Sequence, residues 1–279
     1  MGGPTTSAPT TSAPAPAELL EIGLRVAAEA AELITVERRS AVSVADTKTS
    51  ATDVVTRVDR ASEELIRSRL LEARPDDGFL GEEGGNDTGT SGVRWVVDPI
   101  DGTVNFLYGL PRYAVSVAAE VDGEAVAGVV WDVPSGVRFY ATLGGGAFRD
   151  GEPIGVREPT PLAHRLVITG FSYRPEVRTI QAQAIARLLP IVRDIRRIGS
   201  AALDICHVAE GSADAYVEEG LNPWDHAAAG LVAREAGART LLTTGAGGGM
   251  TLMVCAPEHG FDEFLATVTE LGFLAGPTS

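Results

Sequence analysis

From Arg94 the chain runs Trp95-Val96-Val97-Asp98-Pro99-Ile100-Asp101-Gly102-Thr103, an order that leaves the backbone little choice. Arg94 to Val97 is a short apolar strand that delivers Asp98 at its carboxyl end. Pro99 fixes φ and bars the strand from continuing. Asp101 and Gly102 form a turn, and Thr103 opens a helix whose first backbone N–H groups lack intrahelical partners. Two carboxylates three residues apart, beside a helix start that attracts anions, can hold divalent cations and a phosphate together. The stretch therefore points to phosphate-ester chemistry; the alternative is a strand-turn-helix corner whose acids merely cap and solvate.

Flanking segments supply further acids. Val55-Thr56-Arg57-Val58-Asp59 opens a helix that runs to Ala73, where Asp59 by itself reads as a solvated helix residue. Phe79-Leu80-Gly81 is a short strand ending in Glu82 and Glu83, which point in opposite directions if extended. Residues 86–92 read as a mobile loop. Leu221-Asn222-Pro223-Trp224-Asp225 starts another helix, with Asn222 as cap, Pro223 at the first position and Asp225 in the first turn, where the helix dipole alone explains an acid. Gly199-Ser200-Ala201 begins a helix reaching about Glu210; Ser200 suits an ordinary cap, an anion or a polyol hydroxyl.

Between these segments, Tyr113–Val121, Glu124–Asp132 and Val137–Thr142 read as consecutive strands, with hairpin signals at Asp122-Gly123 and Pro134-Ser135-Gly136. Later, strands over 165–170, 191–198 and 214–218 alternate with helices. Gly144-Gly145-Gly146 and residues 245–249 lack the Lys-Ser/Thr continuation of a nucleotide P-loop and read as turns.

With 279 residues, the chain has room for one large domain or two packed ones. Residues 1–17, rich in Thr, Ser, Ala and Pro, read as a disordered tail without signal-peptide character. Residues 18–279 then form one catalytic domain, with halves at about 18–160 and 161–279. A formal charge of −15 argues against a grip on nucleic acid or anionic lipid. No stretch approaches a membrane span, so the expected location is cytoplasmic. Cys206 and Cys255 read as buried residues of a reducing compartment, with a single disulfide as the alternative. The four histidines do not cluster, and the candidate ligands are all oxygens, which favours Mg²⁺, with Mn²⁺ as a plausible substitute.

The stretch from Trp95 to Phe106 resembles the metal-binding signature of the inositol monophosphatase family, and Trp224-Asp225 followed by Ala227, Ala228 and Ala229 resembles that family's second signature. Arg197-Ile198-Gly199-Ser200-Ala201-Ala202-Leu203-Asp204 is similar to its bacterial members. The resemblance spans about residues 18–270. It implies an α/β fold, a layered αβαβα sandwich of the inositol monophosphatase/fructose-1,6-bisphosphatase type. It also implies a homodimer and two to three Mg²⁺ per site.

By that resemblance, Glu82, Asp98 and the Ile100 carbonyl hold one ion and activate water. Asp98, Asp101 and Asp225 hold a second, and Glu83 lies behind or at the surface. Thr103, oriented by Asp59, helps Glu82 take a proton, and Lys48 matches a lysine near the phosphate. Gly102 and Thr103 cradle the phosphate, while Asp101, Gly199, Ser200, Ala201, Glu218 and Asp225 contact the alcohol. The expected reaction is hydrolysis of a small phosphorylated polyol, first myo-inositol monophosphate. Histidinol phosphate comes next, with sugar or nucleotide phosphates or NADP also within the family's range. The alternative from another class is a partner-binding regulatory protein with secondary phosphatase activity.

Overall fold

Along the strand β5 (Val93–Asp101) side chains alternate between two cores, and that alternation sets the layering. Trp95 and Val97 face one apolar cluster, whereas Val96 faces another. The computed structural model describes residues 14–39, 44–47 and 54–276. Residues 1–13 of the expected tail, and Lys48, lie outside the described residues.

The first half supplies α1 (Pro16–Glu37), β1 (Val44–Thr47), β2 (Val54–Thr56), α2 (Arg57–Ala73), β3 (Gly78–Gly81) and β4 (Asn86–Asp87). After β5 come α3 (Thr103–Tyr108), β6 (Ala114–Val121), β7 (Glu124–Asp132), β8 (Arg138–Thr142), β9 (Gly146–Arg149) and β10 (Glu152–Pro153). Eight of these strands form one sheet in the order β10-β9-β8-β7-β6-β5-β3-β4, antiparallel except where β3 runs parallel to β5. Between β6 and β7, Asp122 and Gly123 both have positive φ (52° and 82°), as a two-residue hairpin turn requires. The second half supplies β11 (Leu166–Thr169), α4 (Pro175–Leu188), β12 (Asp194–Arg196), α5 (Ala201–Ala209), β13 (Ala215–Glu219), α6 (Pro223–Glu235), β14 (Ala238–Thr244), β15 (Thr251–Pro257) and α7 (Glu258–Glu270). Its sheet has the order β12-β11-β13-β15-β14.

Three cores separate five layers. Helices α1 and α2 pack on one face of the large sheet through Leu19, Val26, Ile34, Ile66 and Leu70. The middle layer, α5 and α6, fills the space between the two sheets with Leu203, Ile205, Leu231 and Val232. The far face of the small sheet is covered by α4 and α7, through Leu188, Phe261 and Phe264. This is the α/β sandwich expected. Small residues let α6 approach closely: a Cβ on Gly128 of β7 would stand 2.9 Å from backbone atoms of Ala228. A larger residue at either position would push the middle layer off the sheet.

Four expectations need correction. Pro99 does not end its strand. β5 continues to Asp101, and the pairing with β6 slips between Asp98 and Asp101, a bulge that tolerates proline's missing N–H. The supposed mobile loop at 86–92 is pinned at its start, because Asn86 and Asp87 pair with β3 and Asp87 takes a two-pronged contact from Arg67 at 2.6 and 2.8 Å. The strand expected over 191–198 shrinks to Asp194–Arg196 and follows a 3₁₀ turn at Leu189–Ile191, where Pro190 sits. Pro16 and Ala17, read from the sequence as unstructured, belong to the first turn of α1.

Candidate active site

The bulge in β5 presents two acids from a single strand. Asp98 is the last residue in regular register before the bulge, and its Oδ1 accepts the Ile100 N–H at 3.0 Å, a local turn that holds the carboxylate in place. Asp101 follows at the strand's end, where Gly102 takes φ 98° and redirects the chain into α3. A Cβ on Gly102 would stand 3.0 Å from the carbonyl oxygens of Arg112 and Gly199, so both space and dihedral select glycine.

Asp101 reaches across to the second half of the chain. It accepts the Ser200 hydroxyl at 2.6 Å and the N–H groups of Ala202 and Ala201 at 2.7 and 3.2 Å, thereby closing the start of α5. Ser200 is thus a cap, as its position suggests, with its own hydroxyl committed to Asp101. Asp225 enters from the start of α6, where its carboxylate accepts the Asn222 N–H at 2.6 Å in a capping box. Oxygens of Asp98, Asp101 and Asp225 lie within 4.8 Å of one another.

Glu82 follows β3, held by its N–H to the Val97 carbonyl at 3.2 Å, and its side chain hydrogen-bonds Asp98. Glu83 instead uses its backbone N–H, which donates to Glu63 at 2.6 Å. The Thr103 hydroxyl donates to Asp59 Oδ1 at 2.8 Å and lies 3.1 Å from the Ile100 carbonyl oxygen. Asp59 is fully buried and also accepts the N–H of Thr56 at 2.9 Å, so the first turn of α2 aims it at Thr103. The solvated reading of Asp59 therefore fails.

A cleft of about 480 Å³ brings these groups together: Glu82, Asp98, Ile100, Asp101, Gly102, Thr103 and Asp225 line it with Gly199, Ser200, Ala201 and Glu218. Of the described residues singled out from the sequence, Asp59 and Glu83 do not line it, and Asp59 lies behind Thr103. Phe171, Ser172, Tyr173, Arg174, Arg197 and Met250 also line it and were not anticipated. Asn105 was missed as well. Its side-chain amide donates to the carbonyls of Arg112 at 2.7 Å and Ile198 at 2.9 Å, tying the two halves together.

Electrostatics distinguish the groups. Burial, then Glu82, Asp101 and Asp225, push the Asp98 carboxyl well above its ordinary range. Burial with Glu82 and Asp101 does the same for Asp225. Asp101 rises only to about 6, because burial is opposed by the hydrogen bonds from Ser200 and Ala202. Burial lifts Glu218 to about 7, opposed by the Tyr216 hydroxyl and the Arg197 guanidinium. Three converging carboxylates that raise one another are poorly satisfied without a cation. Their donors are all hard oxygens, so the residues fit a divalent ion such as Mg²⁺.

Comparison with known proteins agrees with this geometry. The model of the inositol monophosphatase family matches residues 15–269. The inositol-1-monophosphatase SuhB of Mycobacterium tuberculosis is 45% identical over 275 residues, covering 91% of this chain and 94% of that protein. A Pasteurella multocida protein named Nus factor SuhB is 39% identical over 223 residues, covering 78% of this chain and 83% of that one. Among solved structures, the extragenic suppressor protein suhB of Bartonella henselae superposes with a TM-score of 0.84 at 32% identity, covering 91% of this chain and 99% of that one. On its two acidic signatures, its layered fold and these relatives alike, the chain belongs to the inositol monophosphatase family.

Proposed function

We propose that the protein is a Mg²⁺-dependent phosphatase that hydrolyses a small phosphate monoester, with myo-inositol monophosphate as the first substrate to try. The observation that carries this reading is the meeting of Asp98, Asp101 and Asp225, from β5 and α6, beside Glu82 and the Thr103–Asp59 pair. Glu82, Asp98 and the Ile100 carbonyl would hold one ion; Asp98, Asp101 and Asp225 would hold another, and Mn²⁺ would substitute. Bound ions of this kind supply Lewis acidity, which withdraws charge from phosphate oxygens and makes water a stronger acid.

The protein's own groups do the rest. Asp59 takes the Thr103 hydroxyl hydrogen, which leaves the Thr103 lone pairs to accept a hydrogen bond from water in the cleft. Glu82 is the nearby base for that water's proton. The N–H groups of Gly102 and Thr103 hold the phosphate at the start of α3. Glu218, with Gly199, Ser200 and Ala201 on the same wall, faces the alcohol portion and accepts its hydroxyls.

The test is turnover of a panel of phosphate monoesters, myo-inositol 1-phosphate and histidinol phosphate first, with added Mg²⁺ and after chelation. Activity that survives chelation would sink the metal assignment; a preference for histidinol phosphate would move the substrate. Among the described residues no helix is long and apolar enough to cross a membrane. We place the enzyme in the cytoplasm as a homodimer, which sedimentation of the purified protein checks. The name of the P. multocida relative favours a second reading, a partner-binding role alongside catalysis. A variant lacking turnover that still performed the cellular role would establish it.

A further inference from the structure

Strand β13 alternates Ala215, Tyr216, Val217, Glu218, so Tyr216 and Glu218 share the face turned to the middle layer. Tyr216 has no exposed surface, and its hydroxyl donates to Glu218 Oε2 at 2.9 Å. On the other side the carboxylate rests against the bare backbone of Gly170. A Cβ there would stand 2.0 to 2.2 Å from Glu218 Oε1, Cδ and Oε2. The charged groups acting on Glu218 include Arg197, exposed on the cleft wall, and the carboxylates of Asp101, Asp204 and Asp225. Three acids repel it and one long, solvent-facing cation attracts it. Those forces alone would not fix its direction, whereas a buried phenol and a glycine backbone do.

We propose that Tyr216 and Gly170 clamp Glu218 as the acceptor for a hydroxyl on the alcohol portion of the substrate. Tyr216 is then a positioning residue that sets selectivity for polyol phosphates over esters without hydroxyls. The Tyr216 hydroxyl occupies one carboxylate oxygen and leaves the remaining lone pairs to the cleft that Glu218 lines. This rests on the reading of Glu218 as the group that meets the alcohol.

The experiment compares myo-inositol 1-phosphate with 4-nitrophenyl phosphate, which has no hydroxyl, in the Mg²⁺-loaded enzyme. Tyr216→Phe removes the donor with little change in volume. We expect its KM for inositol 1-phosphate to rise about fivefold to tenfold, the scale of an ordinary intramolecular hydrogen bond. Its kcat should stay within about twofold, as should both constants for 4-nitrophenyl phosphate. Gly170→Ala displaces Glu218 from the opposite side and should give the same split, which keeps the test alive if the phenylalanine variant folds poorly.

Glu218→Gln runs in parallel. If it leaves KM for inositol 1-phosphate unchanged, Glu218 is not the alcohol acceptor and the clamp falls with that reading. If it raises KM while Tyr216→Phe and Gly170→Ala do not, the clamp alone is overturned. An equal loss on both esters also overturns it, because that is the mark of a general structural defect.

Discussion

Asp98, Asp101 and Asp225 crowd one another in the cleft, and burial together with mutual repulsion lifts two of them far above the ordinary carboxylate range. Glu218 lines the same cleft and rises only to about 7, because a phenol and a guanidinium act on it. The protein compensates Glu218, and through Ser200 and Ala202 also Asp101, with its own groups, and leaves Asp98 and Asp225 in want of a cation. That contrast separates a centre built for metal from a group built to read a neutral partner. It also orders the consequences of mutation, since damage at Asp98, which carries no proposed contact to the alcohol, should not depend on the alcohol's hydroxyls.

The largest effect is expected from Asp98→Asn, which removes a charge shared by both proposed ions. We expect kcat to fall on the order of 10³-fold, equally for inositol 1-phosphate and 4-nitrophenyl phosphate, measured at saturating Mg²⁺. Retained turnover, or a loss confined to the polyol ester, would erase the distinction between the two kinds of acid.

Thr103→Val tests whether the triad needs help from behind. The hydroxyl contributes its bond to Asp59 and no charge, so the fall in kcat should be smaller, about 10²-fold, and again alike for both esters. Stability should hold better than in Asp59→Asn, because Asp59 also completes the capping box of α2 with Thr56. Unchanged kinetics in Thr103→Val would reduce the pair to a structural brace.

What the sequence disclosed follows the same division. Asp98 and Asp101 stand at a strand end and Ser200 at a helix start, positions whose chemistry is local; Asp225 read locally as a helix-dipole acid, and only the family resemblance made it a ligand. The individual strands came through, because apolar runs and hairpin turns such as Asp122-Gly123 are local signals, whereas the layered fold class came from the family resemblance. Tyr216 gave no such signal, since a tyrosine in an apolar strand looks like core until its hydroxyl is seen to meet Glu218 two residues on. Asn105 bonds carbonyls as far off as Ile198, 93 residues along the chain. Its role comes from the packing of the two halves and not from its neighbours. Pro99 misled for a related reason: its disruption of the ladder is absorbed by a bulge against β6, a partner no local rule supplies.

The smallest and most discriminating effect concerns pH and stability. A carboxyl whose folded pKa is raised binds more protons folded than unfolded, so stability falls as pH rises from the unfolded value, near 4, through the folded one. Metal-free protein should therefore melt at lower temperature at pH 8 than at pH 5, through the triad and Glu218 together. Saturating Mg²⁺ should cancel the triad's share by favouring its ionised form. The share of Glu218, which titrates near 7, should remain because Glu218 lies outside the proposed ligand set. A shift of that size is worth about 3 kcal/mol in a fully buried group, and water reaching Glu218 in the cleft trims it to about 1–2 kcal/mol. Melting of the Mg²⁺-loaded enzyme from pH 5 to 8 should thus show a residual decline of a few degrees, which Glu218→Gln abolishes. If Mg²⁺ removes the whole slope in the unmutated protein, Glu218 belongs with the triad, and the cleft holds one kind of acid instead of two.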